Sequence, residues 1–89
     1  MVNSFLLTEF GLKIKYLREH NRWTQEDLAD KTGFHRTYIG MIERAERNIS
    51  LTHIAVFARV FCLSVSQLLD FTDVSPKHSY KSYETKAEK

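Results

Sequence analysis

Apolar residues along the chain fall into short helical stripes separated by polar turns. Leu7, Phe10, Ile14 and Leu17 recur at spacings of 3, 4 and 3, the inner face of a first helix. Lys13, Lys15, Arg18 and Glu19 occupy much of the rest of it, and Asn21 is placed to end it in left-handed backbone. Trp23 folds back as a core anchor. Thr24 opens a second helix as its N-cap, with Asp27 three places on to reach back to the cap. Leu28 and Ala29 lie on its inner face, and Gly33 stops it. A third helix begins near His35 and carries Ile39 and Ile42 inward. Ser50 caps a fourth, through about Phe61, with Leu51, Ile54, Phe57, Ala58 and Phe61 facing in. Leu63 leads to a last short helix capped by Ser64, VSQLLD, whose Val65 and Leu68 close the core. The pattern predicts one all-α domain over residues 1–71. From Thr72 the text is polar, holds the only proline and has no apolar period, so residues 72–89 read as a flexible tail.

The third helix has an unusual outer side. Arg36, Thr37, Gly40, Met41 and Arg44 share one face, at offsets of 1, 4, 5 and 8 from the first of them. Helix, glycine turn and helix with a polar outward stripe is how a helix-turn-helix is written, and its second helix enters the DNA major groove. An ordinary helical hairpin with a wet outer face is the plain alternative. Arg18 sits on the flank of the first buried stripe and needs a partner; Glu43 is the best candidate. Val56, Val60, Leu69 and Phe71 do not all fit the inward faces and are read as a contact between two copies.

Composition narrows the class. A chain of 89 residues, 43% of them hydrophobic, has room for one modest core. No apolar run approaches membrane-spanning length, and the start MVNSFLLTEF lacks the basic and apolar regions of a secretory signal. The single cysteine, Cys62, excludes an internal disulfide, fits a reducing cytoplasm and reads as core. Net charge is only +2, so any anionic partner must be met by local charge rather than by the total. His20, His35, His53 and His78 show no metal-ligand spacing, and no Gly-rich phosphate loop is present, so neither enzyme, metal nor cofactor is expected.

These residues resemble the Cro/C1-type helix-turn-helix family, also called the XRE family. The likeness runs from about Phe10 to Leu69 and includes IKYLREHNRWTQEDLADKTG, YIGMIER and LTHIAVFARVFCLSVSQLL. Within it, RTYIGMIERAERNIS is most similar to the controller proteins of restriction–modification systems. The resemblance implies a compact five-helix, lambda-repressor-like domain with Thr24–Thr32 as positioning helix and about Arg36–Arg44 as recognition helix. It implies a cytoplasmic, nucleoid-associated transcriptional regulator, binding a palindromic double-stranded operator as a homodimer, with RNA polymerase a further candidate partner. Arg36 and Thr37 would face base edges, with Met41 and Gly40 beside them. Arg36 has the fork for guanine, and Met41 suits a thymine methyl. Gln25, Thr24, His35, Tyr38, Arg44, Arg47, Asn48 and Thr52 are the phosphate and backbone candidates, with His53 a weaker one. An Arg18–Glu43 pair is a recurring family contact.

Two positions depart from the family. His35 stands where Ser, Asp or Thr usually caps the recognition helix, and its ring would cap, meet a phosphate or pack. Ala45 stands where many relatives have glycine, which alters the expected path to Arg47. An antitoxin or phage-type repressor of the same fold, or an adaptor that binds protein through its leftover apolar surface, are the competing functional readings.

Overall fold

The computed structural model describes residues 4–74; the proposed tail beyond them, with His78, Tyr80 and Tyr83, lies outside the described residues. Five helices follow in order: α1 (Ser4–His20), α2 (Gln25–Thr32), α3 (Arg36–Glu43), α4 (Leu51–Val60) and α5 (Val65–Leu68). Each supplies one fully buried side chain to a common core: Ile14, Leu28, Ile39, Phe57 and Leu68. α3 packs on α1 and α2, and α4 packs on α2 and α5. Phe10 meets the Phe57 ring edge-on at 6.2 Å, joining α1 to α4 across the centre.

Local chemistry sets the helix starts. Thr24 accepts from the Asp27 amide while the Asp27 carboxylate accepts from the Thr24 amide, a complete capping box. Ser64 and Gln67 form the same reciprocal pair at α5, and Ser50 caps α4 alone. Three of the helix ends share one motif. Gly33 ends α2 at φ 80°, but α1, α3 and α4 are followed by Arg22, Ala45 and Cys62 at φ 61°, 61° and 59°. In each of these three, paired backbone bonds reverse the chain: Trp23 to Arg18 and Arg22 to Glu19, Glu46 to Met41 and Ala45 to Ile42, Leu63 to Ala58 and Cys62 to Arg59. Left-handed backbone costs a residue with a Cβ about 1–2 kcal/mol. Hydrogen bonding and the burial that follows each turn hold it there.

Several expectations are corrected. The left-handed residue after α1 is Arg22 rather than Asn21, whose side chain instead donates to the Leu17 carbonyl at 2.8 Å. Leu51, expected inward, is 71% exposed because it begins α4 on the outer side of the turn. Cys62, expected in the core, is exposed, since the chain reversal turns it outward. Lys13, expected on the wet side of α1, is buried under the C-terminal turn, where its Nζ donates to the Asp70 carbonyl at 2.7 Å and to Asp73 at 2.9 Å. Phe71 is not available as a contact between copies: it is 6% exposed and belongs to this chain's own core. Val74 also packs on that core, so the folded unit runs past the boundary placed at residue 71.

Candidate nucleic-acid interface

Three helices are locked together behind the outward stripe of α3. Glu43, at the end of α3, accepts from Arg18 Nε at 2.6 Å and Arg18 Nη2 at 3.1 Å, a two-pronged pair from α1. Its Oε1 also accepts from the Gln25 amide of α2 at 3.0 Å. Arg18 Nη1 donates in addition to the Trp23 carbonyl at 2.8 Å. The Glu43 side chain is 4% exposed and that of Arg18 11%, so the pair lies mostly out of water with its donors and acceptors used. The hydrogen bond to Glu43 raises the Arg18 pKa against the opposing effect of burial. The consequence is geometric: α2 and α3 keep a fixed relation, with α1 as the brace.

Gly11 completes the brace. It is buried in the middle of α1, where a Cβ would lie 2.6 Å from the Ile42 carbonyl oxygen and 2.7 Å from that of Glu43. Only a residue without a side chain lets the α1 and α3 backbones come this close. Nothing in apolar spacing marks the position; a glycine inside a helical stripe was the one available signal.

On the outer side, Gln25, Arg36, Thr37, Gly40 and Arg44 line one open recess of about 230 Å³. Arg36 and Thr37 are exposed in the first turn of α3, and Met41 is half-buried behind them. Gly40 differs from expectation. It is buried rather than open to a base, because the Arg44 side chain covers it, with Nη1 2.9 Å from where a Cβ would stand. In this structure it seats the Arg44 side chain. Arg44 itself is held by Glu46, at 3.0 Å and 3.2 Å, in an exposed pair that a phosphate can displace at little cost.

His35 acts as the N-cap of α3, its Nδ1 accepting from the Thr37 amide at 3.0 Å. That bond needs the Nδ1 lone pair, so Nε2 carries the ring proton and remains an exposed donor. Thr24 is occupied as a cap, its hydroxyl oxygen accepting from the Asp27 amide. Thr52 shares a hydrogen bond with Ser50 at 3.0 Å. Arg47 and Asn48 are exposed in the loop after α3; Asn48 also borders an apolar recess of about 250 Å³ with Leu6, Phe10 and Leu69. Tyr38 is half-buried, and that burial raises its hydroxyl pKa, opposed by the nearby Arg47 guanidinium 5.6 Å from its ring. Of the residues read as a contact between copies, Val56 is half-buried, while Val60 and Leu69 partly pack on the core.

Residues 14–68 match the family described as Helix-turn-helix. The chain belongs to that family. Among curated relatives of this helix-turn-helix protein, control protein C.BamHI of Bacillus amyloliquefaciens is 39% identical over 75 residues, 83% of this chain and 91% of that protein. Control protein C.SmaI of Serratia marcescens is 43% identical over 56 residues, 63% of this chain and 67% of that protein. Among solved structures, the wild-type restriction–modification controller C.Esp1396I superposes with a TM-score of 0.73 at 33% identity, covering 83% of this chain and 97% of that one. A tetramer of C.Esp1396I bound to its natural 35 base-pair operator also matches, with a TM-score of 0.66 at 35% identity over 73% of this chain and 90% of that one. The all-α, five-helix architecture expected from the sequence is the architecture of these controllers.

Proposed function

We propose that this helix-turn-helix protein is a sequence-specific DNA-binding regulator of restriction–modification genes that acts as a homodimer on a two-fold symmetric operator. The carrying observation is the exposed Arg36–Thr37 pair at the start of a braced α3, framed by Gln25 and Arg44 in one recess. The likeness to C.Esp1396I, a controller solved on its own operator, supports the same reading.

The roles follow from chemistry. Arg36 reads guanine through paired donors, Thr37 bonds a base or touches a thymine methyl, and Met41 adds apolar contact. The Gln25 amide has a second hydrogen beyond the one given to Glu43 and offers it to a phosphate beside the free amides of α2. Thr24, His35 Nε2, Tyr38, Arg44, Arg47, Asn48 and Thr52 form the remaining backbone contacts. Val56, Val60 and Leu69 supply the contact between copies, which sets two α3 helices about 34–36 Å apart. One module buries too little surface to be both tight and selective, and duplication corrects that. RNA polymerase enters as a partner where the operator adjoins a promoter.

Selection of bound duplexes from a random pool tests the reading. A two-fold symmetric consensus with half-sites about one helical turn apart supports it. Recovery of no preferred duplex overturns it.

A further inference from the structure

His53 lies outside the stripe that the helix-turn-helix reading uses, yet it touches one of its candidates. The Tyr38 hydroxyl and His53 Nδ1 are 2.8 Å apart, bridging α3 to the first turn of α4. The two rings meet edge-on, with centroids 5.4 Å apart at 82°. Phe34 closes the group, 5.1 Å from Tyr38 and 4.6 Å from His53, and is tied to the core through Phe57 at 5.3 Å. On the far side of this cluster the Arg47 guanidinium lies 5.6 Å from the Tyr38 ring. A chain of contacts thus runs from the core, through His53 and Tyr38, to an exposed cation in the loop after α3.

We propose that His53 is a positioning residue for DNA binding: its Nδ1 fixes the Tyr38 hydroxyl, and the fixed Tyr38 ring holds the Arg47 guanidinium ready for the DNA backbone. The inference rests on the DNA-binding reading above. The physical reason is pre-organisation. Arg47 sits in a loop entered through the left-handed Ala45, and a long side chain there loses rotamer freedom when it meets a phosphate. A rigid aromatic platform removes part of that loss in advance, and cation–π attraction contributes to holding it. Tyr38 serves as such a platform only while its own ring is held. Phe34 meets the ring edge-on at 5.1 Å, an apolar contact that is less directional than a hydrogen bond. The hydroxyl bond to His53 supplies the missing restraint.

The test is a double-mutant cycle in the full chain, read as affinity for the duplex recovered by random-pool selection with the wild-type protein. His53→Ala is expected to weaken binding about three- to tenfold per protomer, the net worth of one hydrogen bond expressed as an affinity ratio, compounded over the two protomers of the dimer. Tyr38→Phe should lose a similar factor, and adding His53→Ala to it should cost little more. His53→Asn places an acceptor near the Nδ1 position and should restore most of the affinity, which filling of space alone would not do. The salt dependence should flatten with His53→Ala as it does with Arg47→Ala, by up to about one phosphate contact. Independent, additive losses from His53→Ala and Tyr38→Phe overturn the inference, as does wild-type binding by His53→Ala. If His53→Ala unfolds, the His53→Asn and Tyr38→Phe arms still decide: a His53→Asn protein that is folded yet as weak as Tyr38→Phe overturns it. Failure of the wild-type chain to select any duplex is a different outcome, since it removes the DNA-binding reading and this inference with it.

Discussion

Placing alanine at position 11 drives a methyl group into the backbone of α3. The new Cβ would stand 2.6 Å and 2.7 Å from two consecutive carbonyl oxygens, those of Ile42 and Glu43. Ordinary carbon–oxygen contact needs roughly 0.5–1 Å more, given optimal separations between non-bonded atoms. Neither oxygen belongs to a flexible side chain, so α3 must move as a body or α1 must bend. Overpacking of this kind costs about 1–3 kcal/mol. Against it stands the gain in helix propensity on replacing a mid-helix glycine, about 1 kcal/mol. Shifting α3 also stretches the Arg18–Glu43–Gln25 bonds, which span the same junction and cannot all follow. With about 1 kcal/mol more lost from the stretched hydrogen bonds, the balance is a net loss of about 1–3 kcal/mol, or about 4–24 °C in melting temperature for a domain of this size. Thermal unfolding followed by far-ultraviolet circular dichroism measures it. A Gly11→Ala protein that melts at or above the wild-type temperature would refute the close-approach argument, because propensity alone predicts that rise.

The same reasoning with opposite sign applies at Ala45, whose φ of 61° strains a residue with a Cβ: Ala45→Gly should stabilise by up to about 1 kcal/mol, less the greater freedom of glycine in the unfolded chain, seen as a higher urea midpoint at unchanged m-value. Arg18→Ala leaves the Glu43 carboxylate mostly buried with Gln25 as its remaining partner, and should cost about 3–5 kcal/mol in chemical denaturation. Asp27 gives a pH effect. Backbone and side-chain hydrogen bonds with Thr24 hold its carboxyl below the ordinary value of 3.8, so its stabilisation is complete above that range and drains away as pH falls through the depressed value. Asp27→Asn should accordingly flatten the acid side of the stability–pH curve below about pH 4 and leave the neutral-to-basic side without new slope; an unchanged acid side would contradict the capping-box account.

What was legible in the sequence was local or periodic. Thr24 with Asp27, Ser50 and Ser64 declare their helix starts because a cap needs only residues three apart, and Gly33 declares a stop because its backbone freedom is intrinsic. Arg18 and Glu43 were paired from their positions beside buried stripes, a longer step that the family resemblance reinforced. What was not legible depends on elements far apart in the chain. Lys13 is polar by type and lies off the apolar stripe of α1, but the turn after α5 returns to cover it and supplies the Asp70 carbonyl and the Asp73 carboxylate as partners. Phe71 looked surplus because the same return was not foreseen. Spacing places Gly40 on the outward stripe, but it cannot show that the Arg44 side chain folds back over it. Cys62 was assigned to the core by hydrophobicity, whereas the reversal after α4 requires one left-handed residue and turns it outward.

The account turns on Arg36 reading bases rather than only neutralising phosphate. The direct measurement is the ratio of affinities for the selected duplex and for a scrambled duplex of equal length, at one salt concentration, in wild type and Arg36→Ala. Loss of a base-reading fork predicts a fall in that ratio of about five- to 150-fold for each half-site, from 1–3 kcal/mol of discrimination, compounded over the two half-sites of the dimer, with scrambled-duplex binding reduced far less. Equal losses on both duplexes, leaving the ratio where it was, would contradict the assignment of α3 as the helix that reads the operator.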